Sequence, residues 1–128
     1  MLDEHDIELL TSKALAHFAT VMPDGSPHVS PVWIDYDDGM IMVNTAEGRA
    51  KWRNVQRDPR VALSVANADD PYDMIAIQGR VVEITHEGAN AHIDKLSEKY
   101  TGKTPYGRYV PRRVLLKIVP ERIGRMRD

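Results

Sequence analysis

Two Asp-Gly turns, Asp24-Gly25 in "PDGS" and Asp38-Gly39 in "DDG", stand one strand-length apart early in the chain and limit what it can fold into. Asp-Gly readily supplies the backbone angles of a tight hairpin, and the segments around both turns are rich in β-branched and aromatic residues. "AHFATVM", "PHVSPVWIDY" and "MIMVNTA" therefore read as strands, so residues 16–46 are expected to form a three-stranded antiparallel meander.

The rest of the chain fits around such a sheet. "GRAKWRNVQR" suits a helix over residues 48–57, closed by Asp58-Pro59 because proline disfavours helical geometry in the residue before it. "RVALSVANA" and "MIAIQGRVVEIT" read as two further strands, with Gly79 marking a bulge or a close backbone approach. Helical spacing returns through Ala91, Ile93, Leu96 and Tyr100. The loop "TGKTPYGRYVP" follows, then a last strand "RRVLLKIVPERIGRM" whose Pro120 belongs at an edge or bulge. Residues 3–13 read as a short N-terminal helix capped by Asp3. The expectation is one mainly β domain over residues 1–128: about six antiparallel strands with peripheral helices, in a small barrel. There is neither the βαβ alternation of a doubly wound fold nor a GxGxxG motif.

Composition narrows the chemistry. A net charge of -2 argues against a chain-wide attraction to nucleic acid, so an anion site has to be local. The absence of cysteine excludes thiol nucleophiles and Cys-ligated metals. His5, His17, His28, His86 and His92 contain no i, i+4 pair, and Ser30, Ser64 and Ser97 lack a nucleophile-elbow context. No metal and no membrane span is expected, and the acidic start is unlike a basic signal peptide, so a cytoplasmic protein is expected. Charge is polarised: Asp3, Glu4, Asp6 and Glu8 open the chain, while Arg112, Arg113, Lys117, Arg122, Arg125 and Arg127 lie near its end. Such ends either meet one another or a partner, or are simply solvated.

The segment "NTAEGRAKWRNVQRDPRVAL" concentrates basic residues between two strands. A Thr at a strand end, a Gly, then Arg49 and Lys51 around a helix start place cations where free backbone N–H groups already favour an anion. A phosphate or polycarboxylate fits this arrangement; so does a merely solvated basic face. Trp52 and Val55 fall off the Arg49-Arg53-Arg57 face and are expected to pack on the sheet. Single-stranded nucleic acid is a weaker alternative, because Arg49, Lys51, Arg53, Trp52, Tyr106 and Tyr109 would combine charge with stacking. Without a protein nucleophile, acid–base pair or metal set, any catalysis is expected to rest on a bound cofactor.

Residues 24–63, and most specifically "EGRAKWRNVQRDPRV" with the later "RRVLLKIVPERI", resemble the split β-barrel flavin and deazaflavin oxidoreductases, the group that includes pyridoxamine 5'-phosphate oxidase. The likeness is greatest to the branch that uses coenzyme F420, a deazaflavin carrying phosphate and a polyglutamate tail. It implies a homodimer with cofactor grooves between subunits, acting on a small unsaturated or conjugated molecule by hydride transfer. By position, Arg49 and Lys51 would hold the phosphate or tail, with Asn44 and Thr45 assisting and Ala50 offering backbone. Ser30, Pro31, Val32 and Trp33 would line the ring system. Met74 and Gln78 would be secondary contacts, some across the dimer, and Tyr106 and Tyr109 would border the substrate opening. Flavin mononucleotide (FMN) is the alternative cofactor, and a non-catalytic carrier of flavin, deazaflavin or tetrapyrrole the alternative role. The basic pair of the FMN oxidases is adjacent, whereas Ala50 intervenes here, and the C-terminal Trp and Arg region of those oxidases is missing from "RIGRMRD". Both departures favour the deazaflavin.

Overall fold

Seven antiparallel strands and three helices make up the computed structural model, which describes residues 1–107 and 111–127. The chain runs α1 (Glu4–Thr11), β1 (Ala16–Val21), β2 (Pro27–Val32), β3 (Ile34–Asp37), β4 (Met40–Ala46), α2 (Ala50–Arg57), β5 (Arg60–Asn67), β6 (Asp70–Thr85), α3 (Ala89–Thr101) and β7 (Arg113–Met126). The strands form one curled sheet in the order β2-β1-β5-β6-β7-β4-β3, a split barrel with peripheral helices.

The strand count is one above expectation because "PHVSPVWIDY" is two strands interrupted at Trp33. The meander over residues 16–46 is corrected accordingly. β1 pairs with β2 and β3 with β4, but β2 and β3 lie at opposite edges of the sheet. Trp33 is thus the link across the open seam of the barrel. Unpaired backbone groups at a seam need partners, and α3 supplies them. The Ile34 N–H donates to the Tyr100 hydroxyl at 3.2 Å, and Lys99 Nζ donates to the Ile34 carbonyl at 2.8 Å and the Leu10 carbonyl at 3.2 Å. Tyr100 in turn donates to the Ala14 carbonyl, and Trp33 stacks on its ring with centroids 5.3 Å apart.

Alternation along the strands separates a core face from an outer face. Phe18, Ile34, Ile41, Val43, Leu63, Val65, Ile75, Ile77, Val114, Leu116 and Ile118 fill the barrel. α2 adds Val55 to that core, with Trp52 packed against it, as its helical spacing predicts. One of two register shifts between β6 and β7 falls at Gln78/Gly79 opposite Pro120, so the glycine and the proline meet at one bulge. A Cβ at residue 79 would stand 2.6 Å from the Val119 carbonyl oxygen, which is why glycine occupies it.

The two charged ends do meet. Asp3 and Asp6 form a capping box at the start of α1, and the fully buried Asp6 carboxylate also accepts Arg125 Nη2 at 2.7 Å and a hydrogen bond from Arg127. No helix among the described residues is long and apolar enough to cross a membrane.

Candidate functional site

Beside the seam, where β2, β4, α2, α3 and β7 converge, lies a pocket of about 190 Å³ lined by Val32, Trp33, Asn44, Arg49, Lys51, Ile93, Leu96, Tyr106 and Arg113. Its position follows from local geometry. Met42, Asn44 and Ala46 of β4 alternate with core-facing Ile41, Val43 and Thr45, and the register sets Ala46 opposite Arg113 and Asn44 opposite Leu115. Asn44 and Arg113 therefore share the outer face of the sheet. Arg49 is the N-cap of α2 and Lys51 sits in its first turn, beside that same sheet end.

Two walls of different character result. One is aromatic: Trp33, backed by Tyr100, meets Tyr106 edge-on at 6.0 Å, and Ile93 and Leu96 extend the apolar surface. The other is cationic. Arg113 is only 5% exposed, donates from Nη1 to Asn44 Oδ1 at 3.2 Å, lies over the Tyr106 ring at 5.3 Å, and has no partner for Nε. Burial, followed by repulsion from Arg49, lowers the Lys51 pKa; burial also lowers that of Arg113, where nearby Arg49 adds to the effect and Tyr106 opposes it. Among the described residues, no salt bridge reaches Arg49, Lys51 or Arg113, although the protein has nineteen carboxylate side chains. A buried cation with an unused donor and two cationic neighbours suits an anion with several acceptor oxygens.

Of the sequence-predicted residues, Val32, Trp33, Asn44, Arg49, Lys51 and Tyr106 come together around this pocket. Ala50 opens α2 next to them. Ser30 shares the inward face of β2 with Val32, its Oγ buried without a partner, whereas Pro31 points to the opposite, exposed side. Thr45 is 1% exposed, on the core side of β4, and does not line the pocket. Met74 and Gln78 lie on β6 and do not line it. Gln78 borders two shallow grooves of about 510 and 600 Å³ on the outer face of β1, β5, β6 and β7. Tyr109 lies outside the described residues.

The other arginines of the opening motif serve the fold. Arg53 donates to the Gly48 carbonyl, Arg57 donates to the Val21 carbonyl at 2.6 Å, and buried Asn54 donates to Thr20 Oγ1 at 2.9 Å. They tie α2 to β1. Arg113, Ile93 and Leu96 were not among the expected site residues. The signal for Arg113 was available: alternation that buries Val114, Leu116 and Ile118 puts Arg113 on the other face, at a strand start beside the Arg49 turn.

A curled antiparallel sheet with an aromatic and cationic pocket at its seam defines a split barrel with peripheral helices. Residues 2–127 match the family model described as pyridoxamine 5'-phosphate oxidase, and the chain belongs to that family. Among solved structures it is similar to an F420 reductase, with 29% identity over 97% of this chain and 98% of that one and a TM-score of 0.87. It is also similar to the conserved hypothetical protein Rv2991 of Mycobacterium tuberculosis, with 27% identity over 98% of this chain and 85% of that one and a TM-score of 0.73. A FAD-binding protein of Mesorhizobium loti, at 22% identity over 95% and 92% of the two chains and a TM-score of 0.68, shares the fold.

Proposed function

We propose that the protein is an oxidoreductase that binds coenzyme F420 and reduces a small unsaturated or conjugated organic molecule. The observation that carries this reading is the meeting of Arg49, Lys51 and buried Arg113, without a described counter-ion, beside the Trp33 wall. The F420 reductase match, which spans nearly both chains, favours the deazaflavin over FMN. When bound, the cofactor would supply the hydride chemistry. The chain's own residues would anchor its anionic end through the three cations and orient the ring against Trp33, with Ser30 and Val32 along β2.

A pocket of about 190 Å³ holds an anionic group and a short stretch of chain, below the roughly 300–1,000 Å³ usual for a whole ligand. The ring must extend beyond it. A second copy of the chain, seated on the outer face of the sheet where Val29 is 63% exposed and Gln78 borders the grooves, would complete the enclosure. This homodimer would bring Met74 and Gln78 toward the partner's cofactor. A cytoplasmic location accords with such a reaction.

The test is a fluorescence titration with F420 and with FMN. Tighter binding of F420, weakened about a hundredfold or more in Arg49→Ala/Lys51→Ala, is expected, since each charge-assisted contact contributes about 1.5–3 kcal/mol. Unchanged affinity in the double variant refutes the anchor. Reduction of enones, quinones or biliverdin by the loaded protein separates a reductase from a carrier: tight binding with no acceptor reduced identifies the carrier. Light scattering that shows a monomer at micromolar concentration overturns the dimer.

A further inference from the structure

Behind the pocket, between α3 and the outer face of the sheet, a chain of polar side chains continues from the Asn44–Arg113 contact. Its first link is Asn44, whose Oδ1 accepts from Arg113 at 3.2 Å. Its amide orientation is set independently, because Nδ2 donates at 2.8 Å to the Ala89 carbonyl, which can only accept. The same Nδ2 lies 3.3 Å from His92 Nδ1. That ring nitrogen must therefore offer its lone pair, so neutral His92 carries its proton on Nε2. Nε2 faces Asp35 Oδ2 at 3.3 Å, a close polar contact short of hydrogen-bond alignment.

Asp35 is itself firmly placed. It is 7% exposed, Lys95 donates to its Oδ2 at 2.9 Å, and the Tyr36 amide donates to Oδ1 at 2.8 Å. His92 is 8% exposed. The charged groups facing it are Asp35 from β3, Lys95 from its own helix and, through Asn44, Arg113 from β7. A structural histidine with one satisfied nitrogen would require no such sequence of partners ending on the buried cation of the pocket.

We propose that His92, oriented by Asp35, is a positioning residue: together with the Ala89 carbonyl it holds Nδ2 of Asn44, so that Oδ1 keeps the Arg113 guanidinium against the pocket. The chain thereby sets how strongly the protein prefers a phosphate-bearing ligand over the same ligand without phosphate. A cation kept in place before the ligand arrives loses less freedom on binding than one that must be captured. The inference rests on the anion-binding reading of the pocket and adds the residues that make that reading selective.

The test compares dissociation constants, by fluorescence, for two pairs of probes: FMN with riboflavin, and F420 with its core lacking phosphate and glutamate tail. The wild-type protein is expected to prefer the phosphate-bearing member of at least one pair by about a hundredfold, and Arg113→Met to lose most of that preference. His92→Leu should lower it about tenfold and leave affinity for the phosphate-free member unchanged. His92→Asn, whose Oδ1 can accept from Asn44 near the position of Nδ1, should restore it to within about threefold. Should His92→Leu fail to fold, Asn44→Ala cuts the same chain at a half-buried position and is expected to show the same tenfold loss. Undiminished preference in the folded variants overturns the positioning role alone. Equal weakening of both members of a pair also overturns it, by revealing a general packing defect. If the wild-type protein shows no preference in either pair, the anion-binding reading fails, and this proposal with it.

Discussion

Arg113→Met separates the binding cost of a buried cation from its structural worth. At 5% exposure, Arg113 is as enclosed as a core residue, and truncating an ordinary core side chain of that burial costs about 2–5 kcal/mol. The unfolding entropy of a 128-residue chain, at about 2.1 cal/mol/K per residue, is ~0.27 kcal/mol/K, so such a loss lowers Tm by roughly 7–18 °C. Arg113 differs because it is a charge with an unpartnered Nε and cationic neighbours. Replacing a buried ionic group by an apolar one of similar volume is commonly neutral or stabilising, by about 1–4 kcal/mol. Against this stand the stranded Asn44 Oδ1, at the lower end of about 1–3 kcal/mol because Asn44 is only half-buried, and a cation–π contact of about 0.5–2 kcal/mol. The terms nearly cancel. The ligand-free variant is expected to melt within about 6 °C of the wild type, measured by differential scanning fluorimetry. Ligand at 100 times the wild-type Kd should stabilise the wild type by about 2.7 kcal/mol, roughly 10 °C. A variant that binds ten- to a hundredfold more weakly should gain only about 1.4 to 0.4 kcal/mol. A ligand-free Tm more than about 8 °C below the wild type, together with an undiminished ligand-induced rise, would refute the assignment of Arg113 as a binding cation held at structural expense.

Asp6→Ala is expected to lower Tm by about 7–15 °C, from about 2–4 kcal/mol, because it removes the buried acceptor shared by Arg125 and Arg127; a fall under 3 °C by thermal melting would contradict the role given to the joined termini. Burial alone would raise the Asp6 carboxyl, but Arg125 and the Asp3 amide outweigh it and hold the pKa below the ordinary 3.8, so its stabilisation is present above that pH and lost below it. The wild type should therefore lose more Tm between pH 5 and pH 3 than Asp6→Asn does, as paired melting curves will show. Burial and Arg49 lower Lys51 from its ordinary 10.5, so affinity for a phosphate-bearing ligand should fall as pH rises toward that value, and Lys51→Arg should flatten the decline in a titration series. Gly79→Ala drives a methyl group into the Val119 carbonyl at 2.6 Å and is expected to cost about 1–3 kcal/mol in urea unfolding.

The parts of this molecule that were legible in its sequence are those where one segment determines its own structure. Both Asp-Gly hairpins, the Asp3 cap, the Val55 and Trp52 face of α2 and the Gly79 bulge depend on neighbours a few residues away or on a single backbone constraint. The seam was not legible, since nothing local distinguishes one long strand from two that part at Trp33 to opposite edges of a closing sheet. That choice is enforced from far along the chain, by Lys99 and Tyr100 satisfying the backbone of Ile34. The site divides the same way. Arg49 and Lys51 stand at a helix start that the sequence announces, whereas Arg113 joins them only because β7 pairs with β4 in a register that sets it opposite Ala46. Asp35, His92 and Asn44 come from three separate elements, and only the packing of α3 on the sheet makes them continuous. In this fold the three cations around the pocket come from both levels, two from a local motif and one from topology. A sequence search for the basic motif alone would therefore also find barrels that lack the residue expected to give the pocket its selectivity.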